Sequence, residues 1–241
     1  MLRLLSFTVF LATWWGAALL AGGEKLPPPP AVLAAIIAEA NSGALFFNLG
    51  VTLARVALAF TLAMTLGAAI GYVMGRIRLA DRLGDPWLIL LLNLPALVVI
   101  VLAYIWAGLT EVAAIAAIAI NKLPTAVVTV REGTRALDEM TTVFAIPRWT
   151  AFRHVILPQL APYIAAAARS GLSLVWKIVL VAELLGRPNG VGFEIGVAFQ
   201  LFDIPRLLAY ALTFAAVVLA IETVLVQPFE TRLSRWRPRA A

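Results

Sequence analysis

Two lysines stand inside long apolar runs of this 241-residue chain, and they are the residues best suited to bind a ligand. Lys122 and Lys177 each lie well within a hydrophobic run. A charge near the middle of a membrane-spanning helix costs about 2.5–3.5 kcal/mol, so it normally faces protein or a water-filled path. Two interior cations would suit an anion that crosses a membrane. Buried ion pairs are the alternative: either lysine with Glu222, or Lys177 with Glu183.

Other polar residues in these runs extend the candidate path. Asn93, Asn121 and Glu183 stand near the lysines in sequence and are predicted to line the path with them. Pro95 and Pro124 are expected to kink their helices and free backbone carbonyls. Two arginines, Arg55 and Arg169, lie near the ends of apolar runs, so we expect them to be structural and to extend toward the membrane surface.

Several kinds of chemistry are excluded by residue type. The chain has one histidine and no cysteine, which excludes disulfides and thiolate metal sites and leaves no histidine cluster for a metal. The three lysines follow Glu24, Asn121 and Trp176, so no Gly-Lys-Ser/Thr sequence exists to bind nucleotide phosphates. We therefore predict no catalytic residue, no metal and no cofactor in this chain.

The amino-acid composition is that of a membrane protein. Hydrophobic residues make up 62% and charged residues 13%, and the mean hydropathy is +0.95. Soluble domains carry about a quarter charged residues, so an all-α integral membrane protein is predicted. The net charge of +6 does not indicate nucleic-acid binding, because the basic residues flank the apolar runs and form no single soluble face.

Six membrane spans are predicted, at residues 4–20, 51–75, 87–108, 112–130, 161–182 and 207–226. The first run could instead be a cleaved signal peptide, although a retained span is favoured. Residues 26–30, Leu-Pro-Pro-Pro-Pro, are expected to be non-helical and outside the bilayer, and residues 31–40 to lie at its surface. In the second span Gly67, Gly71 and Gly75 share one face, where they should pack against a neighbouring helix.

Lysine and arginine are distributed unequally between the two sides of these spans. Alternate loops place twelve on one side and three on the other, with four inside the spans. Because basic loops stay in the cytoplasm, both termini and the loop between the fourth and fifth spans are predicted to be cytoplasmic.

That loop has the pattern of a docking element. Leu137, Met140 and Phe144 recur at helical spacing, and Pro147 should end this helix and start a second one. The second helix, with Trp149 and residues 152–156, is expected to end at Pro158.

The same loop resembles the ATPase-coupling loop of ABC importer permeases. That family's pattern is Glu-Ala-Ala, three residues, Gly, nine residues, then Ile-x-Leu-Pro. Here the residues are Glu139-Met140-Thr141, then Ala145, then Val155-Ile156-Leu157-Pro158, at the same spacing. Met-Thr replaces the alanine pair, and Ala145 replaces a glycine that would permit a left-handed turn. The resemblance implies these coupling residues: Glu139, Ala145, Arg148, Trp149, Phe152, Leu157 and Pro158.

Three further segments resemble the nitrate/sulfonate/taurine-type branch of these permeases. They are the run Thr52-Leu53-x-Arg55, the turn 108–111, and the segment from Ser173-Leu174-Val175-Trp176-Lys177 through Glu183 to Gly190-Val191-Gly192. The branch implies a small, usually anionic solute such as nitrate, a sulfonate, taurine, cyanate or bicarbonate, although some members carry uncharged heterocycles.

The family resemblance also implies an architecture and partners. The chain would be a six-span type I importer permease in the bacterial inner membrane, working as a homodimer. Two ATPase subunits would bind ATP and magnesium, and an extracytoplasmic solute-binding protein would deliver the solute; lipid is a further partner and nucleic acid is not. The chain would divide into residues 1–50, a permease core at 51–228 with coupling loop 131–158, and a basic tail at 229–241. An ion-coupled secondary transporter or a non-transporting scaffold are the alternatives, and Glu222 is the only acid predicted to lie deep enough for the former.

Overall fold

The computed structural model describes residues 2–22, 25–143, 150 and 152–228, and these form an all-helical membrane protein. In chain order the helices are α1 (Leu2–Leu20), α2 (Pro29–Asn41), α3 (Ala44–Arg76), α4 (Arg78–Asn93), α5 (Ala96–Ala107), α6 (Glu111–Val143), α7 (Leu157–Gly186), α8 (Val191–Gln200) and α9 (Ile204–Ile221). Two short π-helical segments, Phe152–Ile156 and Glu222–Val226, adjoin the start of α7 and the end of α9.

The predicted spans correspond to these helices with one sharp break. Four helices in the described ranges are long and apolar enough to cross a membrane: α3, α6 over Glu111–Ala136, α7, and Ile204–Val224. Helices α4 and α5 make a fifth span only as a pair, bent by 101°. The remaining predicted span corresponds to α1, whose apolar part, Thr8–Leu20, is shorter than a bilayer crossing.

Proline causes the break in the third span. Helix α4 ends at Asn93, and Leu94 and Pro95 are both extended, with ψ angles of 127° and 133°. A proline ring disfavours helical geometry in the residue before it and removes one hydrogen-bond donor. The predicted kink at Pro95 is therefore a complete interruption, whereas Pro124 lies inside the uninterrupted helix α6.

Two predictions about other prolines are wrong. Pro29 and Pro30 are not outside a helix but form the first turn of α2, after the extended Pro28. The first turn of a helix has no internal acceptor for its N–H groups, so proline is tolerated there. Pro158 does not end a helix either, because it lies at the start of α7, directly after the π-helical segment.

The predicted docking element is only partly described. Its first helix is the continuation of α6, which runs for 33 residues to Val143 without a break at the membrane surface. Ala145, Arg148 and Trp149 lie outside the described residues, and so do the side chains of Glu139 and Phe152.

The glycines of α3 form a close seam with α6. A Cβ atom on Gly67 would lie 2.6 Å from the Cβ of Ala126, and one on Gly71 would lie 2.6 Å from the carbonyl oxygen of Val127. A Cβ atom on Gly75 would lie 2.5 Å from the Cβ of Thr134. The spacing of the glycines thus produces the helix contact that it predicts, with α3 and α6 running parallel.

Ion pairs join α4 to one end of α6. The guanidinium of Arg131 lies 2.5 Å from Asp85 and 3.3 Å from Asp81, and Arg135 also pairs with Asp81. The arginine-rich turn between α3 and α4 is therefore at the same end of the molecule as the continuation of α6. We call this the Arg131 end, and the start of α6 the Glu111 end.

Candidate functional site

A buried carboxylate, that of Glu183, organises the Glu111 end of the bundle. Its side chain is 0% exposed and accepts hydrogen bonds from three donors on two other parts of the chain. The Thr52 hydroxyl lies 2.9 Å from both carboxylate oxygens, the Arg55 Nη1 lies 2.6 Å from Oε1, and the Gly192 amide lies 2.8 Å from Oε2. The fifth span was predicted to end at residue 182, but α7 continues to Gly186 and includes Glu183.

Arg55 connects this carboxylate to α6. Its guanidinium binds both carboxylate oxygens of Glu111, at 2.9 and 2.6 Å, and the backbone oxygen of Asn189 at 2.9 Å. The side chain is 3% exposed, so the expectation that Arg55 extends to the membrane surface is wrong. Two carboxylates and a loop carbonyl satisfy its planar donors inside the protein, which removes the need for water.

The loop over Glu183 requires glycine at two positions. Gly190 has a φ of 106°, and a Cβ there would collide with the Glu183 carboxylate. At Gly192 a Cβ would collide with the carbonyl oxygen of Leu180. The Gly-x-Gly run therefore lets the backbone pass close enough for the Gly192 amide to reach the carboxylate. Helix α8, which follows this loop, was not predicted, because its apolar run is too short to distinguish from a loop.

The segments that carry the branch resemblance meet at this network. Thr52 and Arg55 come from α3, Glu111 from α6 and Glu183 from α7; Gly190 comes from the loop that follows α7, and Gly192 from the first turn of α8. A second group of polar residues ties α2 to it, since Arg206 lies 3.1 Å from Glu39 and 2.8 Å from Glu194. Every charged group here has an opposite partner, so the cluster holds helices together and leaves no charge available for a ligand.

Lys122 lies behind α7 and is 1% exposed. Its ammonium donates to the hydroxyl of Thr125 and to the backbone oxygen of Ala167, both at 2.9 Å. The butyl chain crosses α7 at Gly171, where a Cβ would collide with it. Within the described ranges no carboxylate contacts this ammonium, so the proposed pair with Glu222 does not form.

Lys177 lies on the opposite, exposed face of α7. It has no hydrogen bond or ion pair to any residue that the structure describes, so the alternative of a pair with Glu183 or Glu222 is wrong in this structure. Glu183 binds Arg55 instead, and Glu222 lies 3.8 Å from Arg169.

Three polar residues share this exposed face with Lys177. Arg169, Ser170 and Ser173 lie within about 100° of it around the helix axis, and all are exposed. We call these four residues the α7 stripe. The serine hydroxyls donate to backbone oxygens one turn earlier, at 3.2 Å for Ser170 and 2.9 Å for Ser173. The stripe therefore presents two cations and two hydroxyls on the outside of an otherwise apolar helix.

The depth of the stripe follows from the contacts of α6 with α7. Lys122 is eleven residues from the start of α6, which is about 16 Å and half of a 30 Å hydrocarbon core. Its contacts with Ala167 and Gly171 put Arg169 at the same depth. Lys177 lies about 9 Å beyond Gly171 toward the Glu111 end. The stripe thus runs through the hydrocarbon region, not along a membrane surface.

The other predicted site residues are more scattered. Asn93 is exposed at the end of α4, beside the break, and its amide donates to the backbone oxygen of Ile89 at 2.7 Å. Asn121 is half-buried and donates to Ala117 at 2.9 Å. Leu157 and Pro158 are exposed at the start of α7. The structure brings Asn121 and Lys122 close to α7 and leaves Asn93 on a separate surface.

Comparison with known proteins gives a consistent result. The model of the family described as "Binding-protein-dependent transport system inner membrane component" matches residues 63–228. A Brucella abortus protein named as an ABC transporter permease protein is 30% identical over 243 residues, which is 99% of this chain and 96% of that protein. A Bacillus subtilis protein named as an aliphatic sulfonates transport permease protein is 32% identical, over 81% of this chain and 72% of its own length.

Two further similarities bear on solute and fold. The riboflavin transport system permease protein of Chloroflexus aurantiacus is 32% identical over 81% of this chain and 75% of its own length. Among solved structures, an amino acid ABC transporter crystallised with histidines has a TM-score of 0.64 at 19% identity, covering 80% of this chain and 95% of the other. That likeness concerns the fold.

Proposed function

Because this chain belongs to the family of binding-protein-dependent transport system inner membrane components, we propose that it is the permease subunit of an ATP-driven importer of a small anion. Membership makes it an ABC transporter permease with several membrane-spanning helices. The anionic solute, the partners and the orientation below are our proposal.

The α7 stripe carries the proposal that solute passes along this helix. Arg169, near mid-depth, would cost about 2.5–3.5 kcal/mol if it faced lipid hydrocarbon, and Lys177, about 7 Å from the Glu111 end, would cost less. An outward-facing polar stripe at that depth therefore needs water or protein against it. A second copy of the chain facing α7 would supply both, since two opposed stripes would enclose an aqueous path. We propose a homodimer with Lys177 on that path.

The charge of the stripe supports an anion over a neutral solute. Lys177 has no counter-ion among the described residues, so one positive charge per chain is available to a ligand. The names of the relatives include both an aliphatic sulfonate and riboflavin, so similarity alone does not choose the solute. An uncompensated cation in low dielectric favours the sulfonate-like class, because an anion there gains a charge-assisted hydrogen bond. Lys122, enclosed between α6 and α7, would hold the stripe's helix in place from behind, and Asn121 would add polarity beside it.

The Arg131 end would face the cytoplasm, as the excess of basic residues in its loops indicates. The coupling residues, which run from the continuation of α6 to the start of α7, would then contact two ATPase subunits that bind ATP and magnesium: Glu139, Ala145, Arg148, Trp149, Phe152, Leu157 and Pro158. This chain would not hydrolyse ATP itself. An extracytoplasmic solute-binding protein would dock at the Glu111 end and release solute toward Lys177.

Co-purification tests the ATPase partnership. The detergent-solubilised chain would be purified from its native host as wild type, as Glu139→Arg and as Glu132→Arg. Glu132 is the matched control, because it is an exposed acid two turns earlier on the same face of α6. We expect a P-loop ATPase with wild type and with Glu132→Arg, and little with Glu139→Arg.

The other outcomes separate the parts of the proposal. Recovery of the ATPase with all three samples would keep the importer and move the coupling contact away from Glu139. Absence of any ATPase from wild type that remains dimeric would contradict the importer and favour a secondary transporter. Uptake of radiolabelled solute by vesicles that contain the Lys177→Met variant would then test the path. Our proposal predicts that this uptake is lost.

A further inference from the structure

Two of the arginine–glutamate pairs within the described membrane-spanning helices differ in kind. The Arg55–Glu183 pair is short, at 2.6 Å, and its side chains are 3% and 0% exposed. The Arg169–Glu222 pair has 3.8 Å between Nε and Oε1, and its side chains are 49% and 27% exposed. The first pair is enclosed by its surroundings, while the second is longer and more accessible.

The position of the second pair gives it access to solute. Arg169 belongs to the α7 stripe, eight residues from Lys177, which is about 12 Å along the helix. Ser170 and Ser173 lie between the two cations on the same face. An anion that leaves Lys177 toward the Arg131 end would therefore meet two hydroxyl groups and then the guanidinium of Arg169.

The partner carboxylate lies where its own helix is irregular. Glu222 begins the π-helical segment Glu222–Val226, at which the regular helix α9 ends. Single π-helical turns inside longer helices are frequent at functional sites. The Glu222 carboxylate therefore lies at an irregular part of its helix, where it is 27% exposed.

We propose that Arg169 is a second anion-binding position on the path, and that the Glu222 carboxylate occupies it while the path is empty. This rests on the proposed function, since it assumes that the α7 stripe faces the path. An incoming anion displaces Glu222 from Arg169, and Glu222 displaces the anion again as it leaves. The exchange keeps the deepest cation of the stripe neutralised at every stage and prevents a permanent trap for the anion.

The two residues then have opposite effects on affinity, which a purely structural ion pair would not show. Removing the competing carboxylate with Glu222→Gln should tighten anion binding about two- to fivefold, because exposed pairs are weak. Removing the guanidinium with Arg169→Gln should weaken it about tenfold or more, because hydrogen bonds to charged groups are the stronger class. In the double variant the gain from Glu222→Gln should disappear, since no arginine is left to compete for.

Binding would be measured by calorimetric titration of the purified dimer in lipid nanodiscs with sodium ethanesulfonate, nitrate and bicarbonate, at constant ionic strength set with chloride. Arg169→Lys keeps the positive charge and controls for folding, and it should retain affinity within a fewfold. The opposite signs for Glu222→Gln and Arg169→Gln would support the proposal.

Three outcomes would overturn it. Equal affinity in wild type, Glu222→Gln and Arg169→Gln, with loss only in Lys177→Met, would refute the exchange and leave the proposed function intact. A loss in Arg169→Lys as large as in Arg169→Gln would show that packing, not charge, is responsible. No binding of any of the three anions by wild type would refute both this inference and the anionic solute, although co-purification of an ATPase would still identify an importer.

Discussion

Replacing Glu183 by glutamine tests whether the buried network holds the Glu111 end together. The carboxylate is surrounded only by donors: the Thr52 hydroxyl, the Arg55 guanidinium and the Gly192 amide. Glutamine has almost the same shape, but one of its two terminal groups is an NH₂ donor. Whichever way the amide is turned, that NH₂ faces either the Arg55 Nη1 or the Gly192 amide across about 3 Å, and the hydrogen bond to that donor is lost.

The expected cost follows from burial. Removing one member of a buried ion pair typically costs about 3–5 kcal/mol, because the remaining charge stays buried and loses its partner. Here Arg55 keeps Glu111, so we expect the lower part of this range, about 3 kcal/mol. Glu111→Gln is the matched control, since it removes a charge from the same arginine but at a side chain that is 47% exposed. We expect about 1 kcal/mol there, the upper value for exposed pairs.

The measurement is the free energy of unfolding from titration with sodium dodecyl sulfate, followed by circular dichroism of the purified chain. A loss for Glu183→Gln no larger than for Glu111→Gln would refute the reasoning, because burial would then make no difference. The double variant Arg55→Met with Glu183→Gln provides a second check. It should cost clearly less than the sum of the single changes, since both remove the same interaction.

Two further changes test the packing of α6. Gly71→Ala should destabilise the chain by about 1–3 kcal/mol in the same titration, because the new Cβ would lie 2.6 Å from the Val127 carbonyl oxygen. The control is Gly50→Ala in the same helix, whose Cβ would meet nothing within 4 Å and which should be neutral or stabilising. Equal effects of the two changes would refute the glycine seam. Lys122→Met should change the free energy of unfolding by less than about 1.5 kcal/mol. It removes two hydrogen bonds, but it also removes the cost of burying an ammonium that is 1% exposed and contacts no carboxylate in the described chain. A larger loss would show that the charge itself is needed.

The spans could be predicted from sequence because the bilayer imposes a simple requirement. Long apolar runs become helices there, since no other structure satisfies the backbone. Proline was harder, because its effect depends on position in a helix. Pro95 ends a helix, Pro124 lies inside one, and Pro158 starts one, and only the structure shows which backbone N–H groups needed an acceptor.

The roles of the intramembrane charges were harder still. Sequence identified Lys122 and Lys177 equally, but one is buried against Ala167 and the other lies on the exposed face of α7. Which face of a helix is covered depends on tertiary packing, which one amphipathic pattern does not fix. Arg55 was predicted to extend toward the membrane surface, and it is buried instead. The topology count puts Arg55 and Glu183 at the same membrane face, so their opposite charges could have predicted the ion pair.

The length of α6 has a mechanical consequence. Its 33 residues form one rod of about 50 Å, from the buried ion network at Glu111 to Val143 beside the coupling residues. The glycines of α3 contact this helix between Ala126 and Thr134. About 22 Å of α6 precedes this contact, toward Glu111, and about 14 Å follows it, toward Val143. On the network side the rod is packed in the core through Ala114, Ala117 and Ile118, all 0% exposed. A displacement at Val143 would therefore be carried to the ion network by α6 and α3 together, because close-packed interiors transmit strain.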